Sequence, residues 1–164
     1  MCHKATLTYI ERFKDRLEPK ILEVGSYDVN GTVRNAINVD VGIDMREGRG
    51  VDLVMKVEGI DRFFGDGYFK SLICVNTLEH MEDWKESLKS MWRATSGWLL
   101  FELPTPDKLK HDYPNDYIRL TPEMILKIFP NVHNFEVTDI TYLWCVKKEG
   151  ELNLDVVPLK PKEK

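Results

Sequence analysis

Cysteine is scarce in this chain: three in 164 residues, at Cys2, Cys74 and Cys145. An odd number at wide spacing makes neither a disulfide frame nor a zinc cluster. A reducing compartment, the cytoplasm, is therefore the expected location. Histidine is equally thin, and His3, His80, His111 and His133 are scattered without metal-ligand spacing, so no metal is expected. The longest apolar runs are strand-sized, which leaves no membrane span. The opening stretch MCHKATLTYIERFKDRLEPK lacks the apolar core of a signal peptide. A basic excess is missing too. The formal net charge is −4, which weighs against nucleic acid as a partner, because phosphate backbones are met by surplus Lys and Arg.

What is present is an ordinary globular composition, 43% apolar and 30% charged, without internal repeats, at a length that fits one domain. Ile10, Phe13 and Leu17 recur at helical spacing, which predicts an amphipathic helix over 7–18 closed by Pro19. Buried strands are expected in KILEVG, NVDVGIDM (38–45), VDLVMKV (51–57), KSLICVN (70–76) and GWLLFELP (97–104), the last ended by Pro104. Between the fourth and fifth, Trp84, Leu88, Met91 and Trp92 form one helical face that reads as core. TPEMILKIF opens with Thr121 as N-cap and Pro122 at the first helical position. NFEVTDITYLWCVKK reads as a late strand or strand pair. Strands alternating with helices imply an α/β fold, a parallel sheet covered on both faces. The run from Asn30 to the second strand leaves room for a crossover helix of about two turns.

In such a sheet ligands sit beyond the carboxyl ends of the strands. Glu23 and Gly25 fall there after the first strand, and Asp44 ends the second. A carboxylate at that point can accept from both hydroxyls of a ribose, and Met45 beside it can lie against a purine. The first loop reads Gly25-Ser26-Tyr27-Asp28-Val29-Asn30-Gly31 and not G-x-G-x-x-G. A dinucleotide needs closely spaced glycines to cradle its pyrophosphate. Glu23 has the wrong sign for a phosphate and the right sign for an ammonium. The loop therefore favours S-adenosylmethionine over NAD.

Four stretches in order resemble the class I S-adenosylmethionine-dependent methyltransferases: ILEVGSYDVNGTVR, GIDMREGRGVDLV, NTLEHMEDW and HDYPNDYIRLTPEMI. They span residues 21 to about 125. The resemblance implies a Rossmann-like, mostly parallel seven-stranded sheet whose last strand inserts antiparallel. It also implies that Glu23, Gly25, Ser26 and Gly31 surround the methionine part of the cofactor, that Asp44 holds the ribose and that Met45 flanks the adenine. Asn76 and Thr77 would lie under the transferred methyl group, with Leu78 to His80 along the pocket wall. The family commonly has an acid at the position of Lys56, for which Glu58 would substitute, and an aspartate at the position of Lys70. The chain is read as one methyltransferase-like domain, 1–164: an N-terminal helix (1–19), a cofactor-binding half (20–104), an acceptor-side loop (105–120), a helix with strands (121–157) and a tail (158–164).

Methyl transfer asks a protein to align a nucleophile and exclude water, with a base only for acceptors that must lose a proton. His111 is the expected base. It lies in a polar, aromatic loop whose Asp112, Tyr113, Tyr117 and Arg119, with His80, are the expected acceptor contacts. Arg34 either reaches the cofactor's carboxylate or pairs with Asp28 or Glu47. The reading that results is transfer of a methyl group to oxygen or nitrogen of a small molecule. The alternative is a non-catalytic or partner-dependent cofactor-binding subunit. An exposed edge near the chain end offers a surface for a second copy, so a homodimer is an expectation.

Overall fold

Apolar side chains alternate between the two faces of each inner strand, and that alternation builds two cores. The structure, a computed structural model, describes residues 3–108 and 115–155. Seven strands form one sheet: β1 (Ile21–Val24), β2 (Val41–Asp44), β3 (Leu53–Val54), β4 (Phe69–Val75), β5 (Thr95–Pro104), β6 (Val132–Val137) and β7 (Thr141–Lys147). Their order is β3-β2-β1-β4-β5-β7-β6. All neighbours from β3 to β5 pair in parallel, while β7 runs antiparallel to both β5 and β6. The last strand is thus inserted antiparallel into an otherwise co-directional sheet, as the sequence resemblance implies.

Helices cover both faces: α1 (Lys4–Phe13) on one, and α2 (Ile60–Phe64), α3 (Trp84–Ala94) and α4 (Pro122–Ile128) on the other. Leu72, Cys74, Leu99, Phe101 and Trp144 point to α3 and α4, where Leu88, Met91, Ile125 and Phe129 meet them. Ile21, Ile73, Leu100 and Leu143 point the other way, onto Tyr9, Ile10 and Phe13 of α1. Thr121 caps α4 by accepting the Met124 N–H at 3.2 Å, and Asp83 caps α3 through the Glu86 N–H at 3.3 Å.

The first crossover differs from expectation. Instead of two helical turns, Val33–Asn35 makes one 3-10 turn capped by Thr32. The chain has to reach β2 quickly, because Asp40 is already held by the Lys20 and Ile21 N–H groups at 2.9 and 2.7 Å. Val33 is buried there with α1, which covers the face that a longer crossover helix would take. The third strand is also shorter than expected, only Leu53–Val54. It lies at the sheet edge, and residues 55–58 turn away to line the cleft described next.

Candidate functional site

Beyond the carboxyl ends of β1, β2 and β4 the described residues enclose a cleft of about 1470 Å³. Gly25 leaves β1 with φ +76°, and the Gly25 and Ser26 N–H groups both donate to the Ile43 carbonyl, at 2.9 and 3.0 Å. The first loop is thereby folded down over β2. A Cβ on Gly25 would fall 2.1 Å from the Thr77 hydroxyl. The space left by the missing side chain is thus taken by Thr77, which seats the end of β4 against the end of β1.

Asp44 faces the cleft at the end of β2. Its Oδ1 accepts the Arg46 N–H at 2.9 Å and its Oδ2 the Tyr27 N–H at 3.4 Å, so the carboxylate is fixed between the two loops. The Arg46 guanidinium lies over the Tyr27 ring at 4.7 Å. Met45 is 63% exposed and also lines the cleft. Glu58 lines it with Lys56, and its Oε1 accepts the Ser87 hydroxyl at 2.9 Å. Asn76 and Thr77 form the middle of the floor, with Asn76 in the left-handed region at φ +45° and its N–H bonded to the Glu102 carbonyl.

His80 stands over that floor, with Nδ1 2.5 Å from the Asn115 carbonyl. Its neighbour Glu79 is fully buried, its carbonyl accepts the Tyr117 N–H at 2.7 Å, and burial pushes its carboxyl up to about 8. The Leu78–His80 turn thus anchors the stretch that holds Asn115 and Tyr117. Tyr117 lines the cleft.

Several residues expected at the site stand elsewhere. Glu23 is buried on the face toward Val33 and does not line the cleft. Its Oε2 lies 3.8 Å from the Arg34 guanidinium, and burial pushes the carboxyl up to about 8 against the pull of that arginine. Arg34 pairs at 2.5 Å with Asp52, so neither expected partner, Asp28 nor Glu47, holds it. Ser26 is buried against Gly42. Gly31 is exposed and donates its N–H to the Asp28 carboxylate at 2.9 Å, three residues back, which shapes the loop from outside the cleft. Together with the Arg49 guanidinium that N–H holds the Asp28 carboxyl below the usual range. Arg119 is committed to Asp116 and lies off the cleft. His111, Asp112 and Tyr113 lie outside the described residues, as does the tail.

Conversely, His3, Tyr27, Met55, Ile140 and Thr141 line the cleft without having been expected there. Ile140 and Thr141 arrive because β7 returns antiparallel beside β5 and pairs Thr141 with Pro104. No local sequence signal carries that; only the strand order does. Among the described residues no cluster of His, Cys, Asp and Glu is placed to hold a metal ion, and no helix is long and apolar enough to cross a membrane.

No protein-family model matches the sequence, and no curated protein matches it. Solved structures do. A methyltransferase of Burkholderia thailandensis acting on 1,6-didemethyltoxoflavin at N1, solved with that compound and S-adenosylhomocysteine, superposes with a TM-score of 0.68 at 10% identity, over 90% of this chain and 78% of that one. An S-adenosylmethionine-dependent methyltransferase of Archaeoglobus fulgidus gives 0.61 at 13% identity, over 88% and 94% of the two chains. Magnesium protoporphyrin IX methyltransferase of Synechocystis PCC 6803, solved with S-adenosylmethionine, gives 0.61 at 11%, over 88% and 77%. With the strand order, the inserted antiparallel β7 and the cleft at the strand ends, these likenesses give the architecture: the chain has the class I S-adenosylmethionine-dependent methyltransferase fold.

Proposed function

We propose that the chain binds S-adenosylmethionine and transfers its methyl group to an oxygen or nitrogen of a small-molecule acceptor. One observation carries the reading. The cleft is continuous from Asp44 and Met45 at one end, over Asn76 and Thr77, to Pro104 and Thr141 at the other. A ribose-binding acid and an acceptor chamber thus share one floor.

The residues present fit the cofactor. Asp44 keeps lone pairs free of its two backbone donors and would take the ribose hydroxyls. Met45 and Lys56 would flank the adenine, with Glu58 as an acceptor for its amino group. Gly25, with Asn76 and Thr77, would lie along the methionine part. The loop ends on a 3-10 turn, so it lacks the α-helix N-terminus that holds a pyrophosphate, and this disfavours NAD. When bound, S-adenosylmethionine supplies a methyl carbon activated by its sulfonium. The chain's part is to orient the acceptor across Asn76 and Thr77 and to keep water out, with His80 and Tyr117 as the wall.

Two of the neighbours are named for 1,6-didemethyltoxoflavin and magnesium protoporphyrin IX. That range supports small molecules as a class here and selects none. Incubation with isotopically methyl-labelled S-adenosylmethionine and a panel of small phenols, carboxylates and amines tests the proposal. Label transfer to oxygen or nitrogen supports it. Tight cofactor binding with no transfer in any case would favour the non-catalytic alternative.

A further inference from the structure

The turn that follows β4 sets a buried acid beside a histidine of the cleft. Glu79 is fully buried, and neither oxygen of its carboxyl accepts a well-formed hydrogen bond among the described residues. A buried carboxyl so poorly met is costly, and such groups concentrate at functional sites. Arg119 and Asp116 act on it in opposite directions and are already paired with each other. The His80 ring stands next to it, with Nε2 3.7 Å from Glu79 Oε1.

His80 links that buried carboxyl to the cleft. It lines the cleft, as Asn115 and Tyr117 do, and its side chain is 17% exposed. Nδ1 lies 2.5 Å from the Asn115 carbonyl. A carbonyl only accepts, so Nδ1 carries the proton of the neutral ring and the basic lone pair falls to Nε2. The ring keeps this orientation because the stretch opposite is fastened to the same turn. The Tyr117 N–H donates to the Glu79 carbonyl at 2.7 Å, and the Asn115 side-chain amide donates to the Tyr117 hydroxyl at 3.1 Å. Of the acids that follow on the chain, Glu82 and Asp83 also line the cleft, and Asp83 is committed to the cap of α3.

Resting on the methyltransferase reading above, we propose that His80 is the general base of the acceptor site, with Glu79 as its positioning residue. The acceptor is then a small molecule whose nucleophile sheds a proton on methylation: a hydroxyl or a protonated amine. Nε2 takes the proton from a hydroxyl as its oxygen bonds to the methyl carbon, or from an ammonium before its nitrogen does. The electron pair of the broken carbon–sulfur bond stays on sulfur. The imidazolium is met by the Asn115 carbonyl on one side and the Glu79 carboxyl on the other, and it gives its proton to water once the product leaves. A charged ring at 3.7 Å in turn favours the ionised form of a carboxyl that burial pushes up to about 8.

The tautomer is tested by nitrogen NMR of the protein saturated with S-adenosylhomocysteine and isotope-labelled in its histidine rings, with the His80 signals assigned by their loss in His80→Asn. The neutral ring is expected to carry its proton on Nδ1. A neutral ring protonated on Nε2 overturns the base, because its lone pair would face Asn115. With small phenols and primary amines as acceptors, His80→Asn is expected to lose about a hundredfold in turnover or more. Asparagine keeps an N–H for the Asn115 carbonyl and lacks the basic lone pair, so affinity for S-adenosylhomocysteine stays unchanged. His80→Ala is expected to lose as much, and added imidazole to restore part of its rate. Glu79→Gln keeps the shape and removes the charge, and is expected to lower kcat about tenfold at an unchanged acceptor KM. An unchanged kcat in that variant, or a rise in KM alone, overturns the positioning role of Glu79. A His80→Asn protein with the parent's rate, or the loss appearing in His111→Ala instead, overturns the role of base. A parent that binds S-adenosylhomocysteine but methylates none of these acceptors overturns the proposal, whereas failure of the parent to bind it overturns the methyltransferase reading itself.

Discussion

Asp44 carries the cofactor reading at the scale of single residues. Two backbone N–H groups fix its carboxylate and leave it facing the cleft. Asp44→Ala is expected to weaken S-adenosylhomocysteine binding by about 1–3 kcal/mol, the scale of hydrogen bonds to a charged group. Calorimetry showing unchanged affinity would remove the ribose from this position. Gly25 makes a different kind of claim. At φ +76°, with Thr77 where its Cβ would go, Gly25→Ala combines backbone strain with overpacking. Urea denaturation should register a loss of about 1–3 kcal/mol, and a full-stability Gly25→Ala protein would mean that the two strand ends are not locked together. Asp44 and Gly25 are legible in the sequence because each has a local signature, an acid or glycine ending an apolar strand. Glu23 has the same signature and a different fate. Side chains alternate along a strand, and its face is the one that Arg34 and Val33 cover.

Elements were legible where a long periodic pattern met a clear terminator, as in the strands at 21–24 and 69–75 or the helix at 84–94. The pattern failed where length ran short. The five residues of α2 lie between Gly59 and Gly65, both at positive φ, and glycines at both ends read as loop. The helix predicted over 7–18 begins earlier, at Lys4, and tightens into a 3-10 turn at Lys14–Arg16. That earlier start is what brings Thr6 to Glu102. Thr6→Val keeps the shape of the side chain and removes the hydroxyl from a buried carboxylate, so it should cost about 1–3 kcal/mol. Denaturant unfolding that finds no loss would show that α1 docks by its apolar face alone, through Tyr9, Ile10 and Phe13.

At the scale of the whole molecule, the Pro104–Thr141 end of the cleft, the proposed acceptor end, was the part least legible in the sequence. It is assembled from the start of α1, the end of β5 and the start of β7, three segments far apart in the chain and joined only by strand order. Buried charge at this scale sets the response to pH. Glu23 and Glu79 are each pushed up to about 8 by burial, whereas an unfolded chain releases such protons near about 4.3. Between those values the folded state binds more protons than the unfolded one, so this contribution to stability is full below about pH 4 and drains away as pH rises through about 8. The lowered carboxyls, Asp28, Asp61, Asp107 and Glu123, act below that window. Thermal unfolding should therefore show a higher Tm near pH 5 than near pH 9, and Glu79→Gln should flatten the difference. An unchanged slope in that variant would mean that Glu79 is solvated or paired in the folded state. The most direct test of the central claim is calorimetric titration of the protein with S-adenosylmethionine, S-adenosylhomocysteine and NAD. Saturable binding of the first two and none of NAD is the expected result, and binding of NAD alone, or of none of the three, would contradict it.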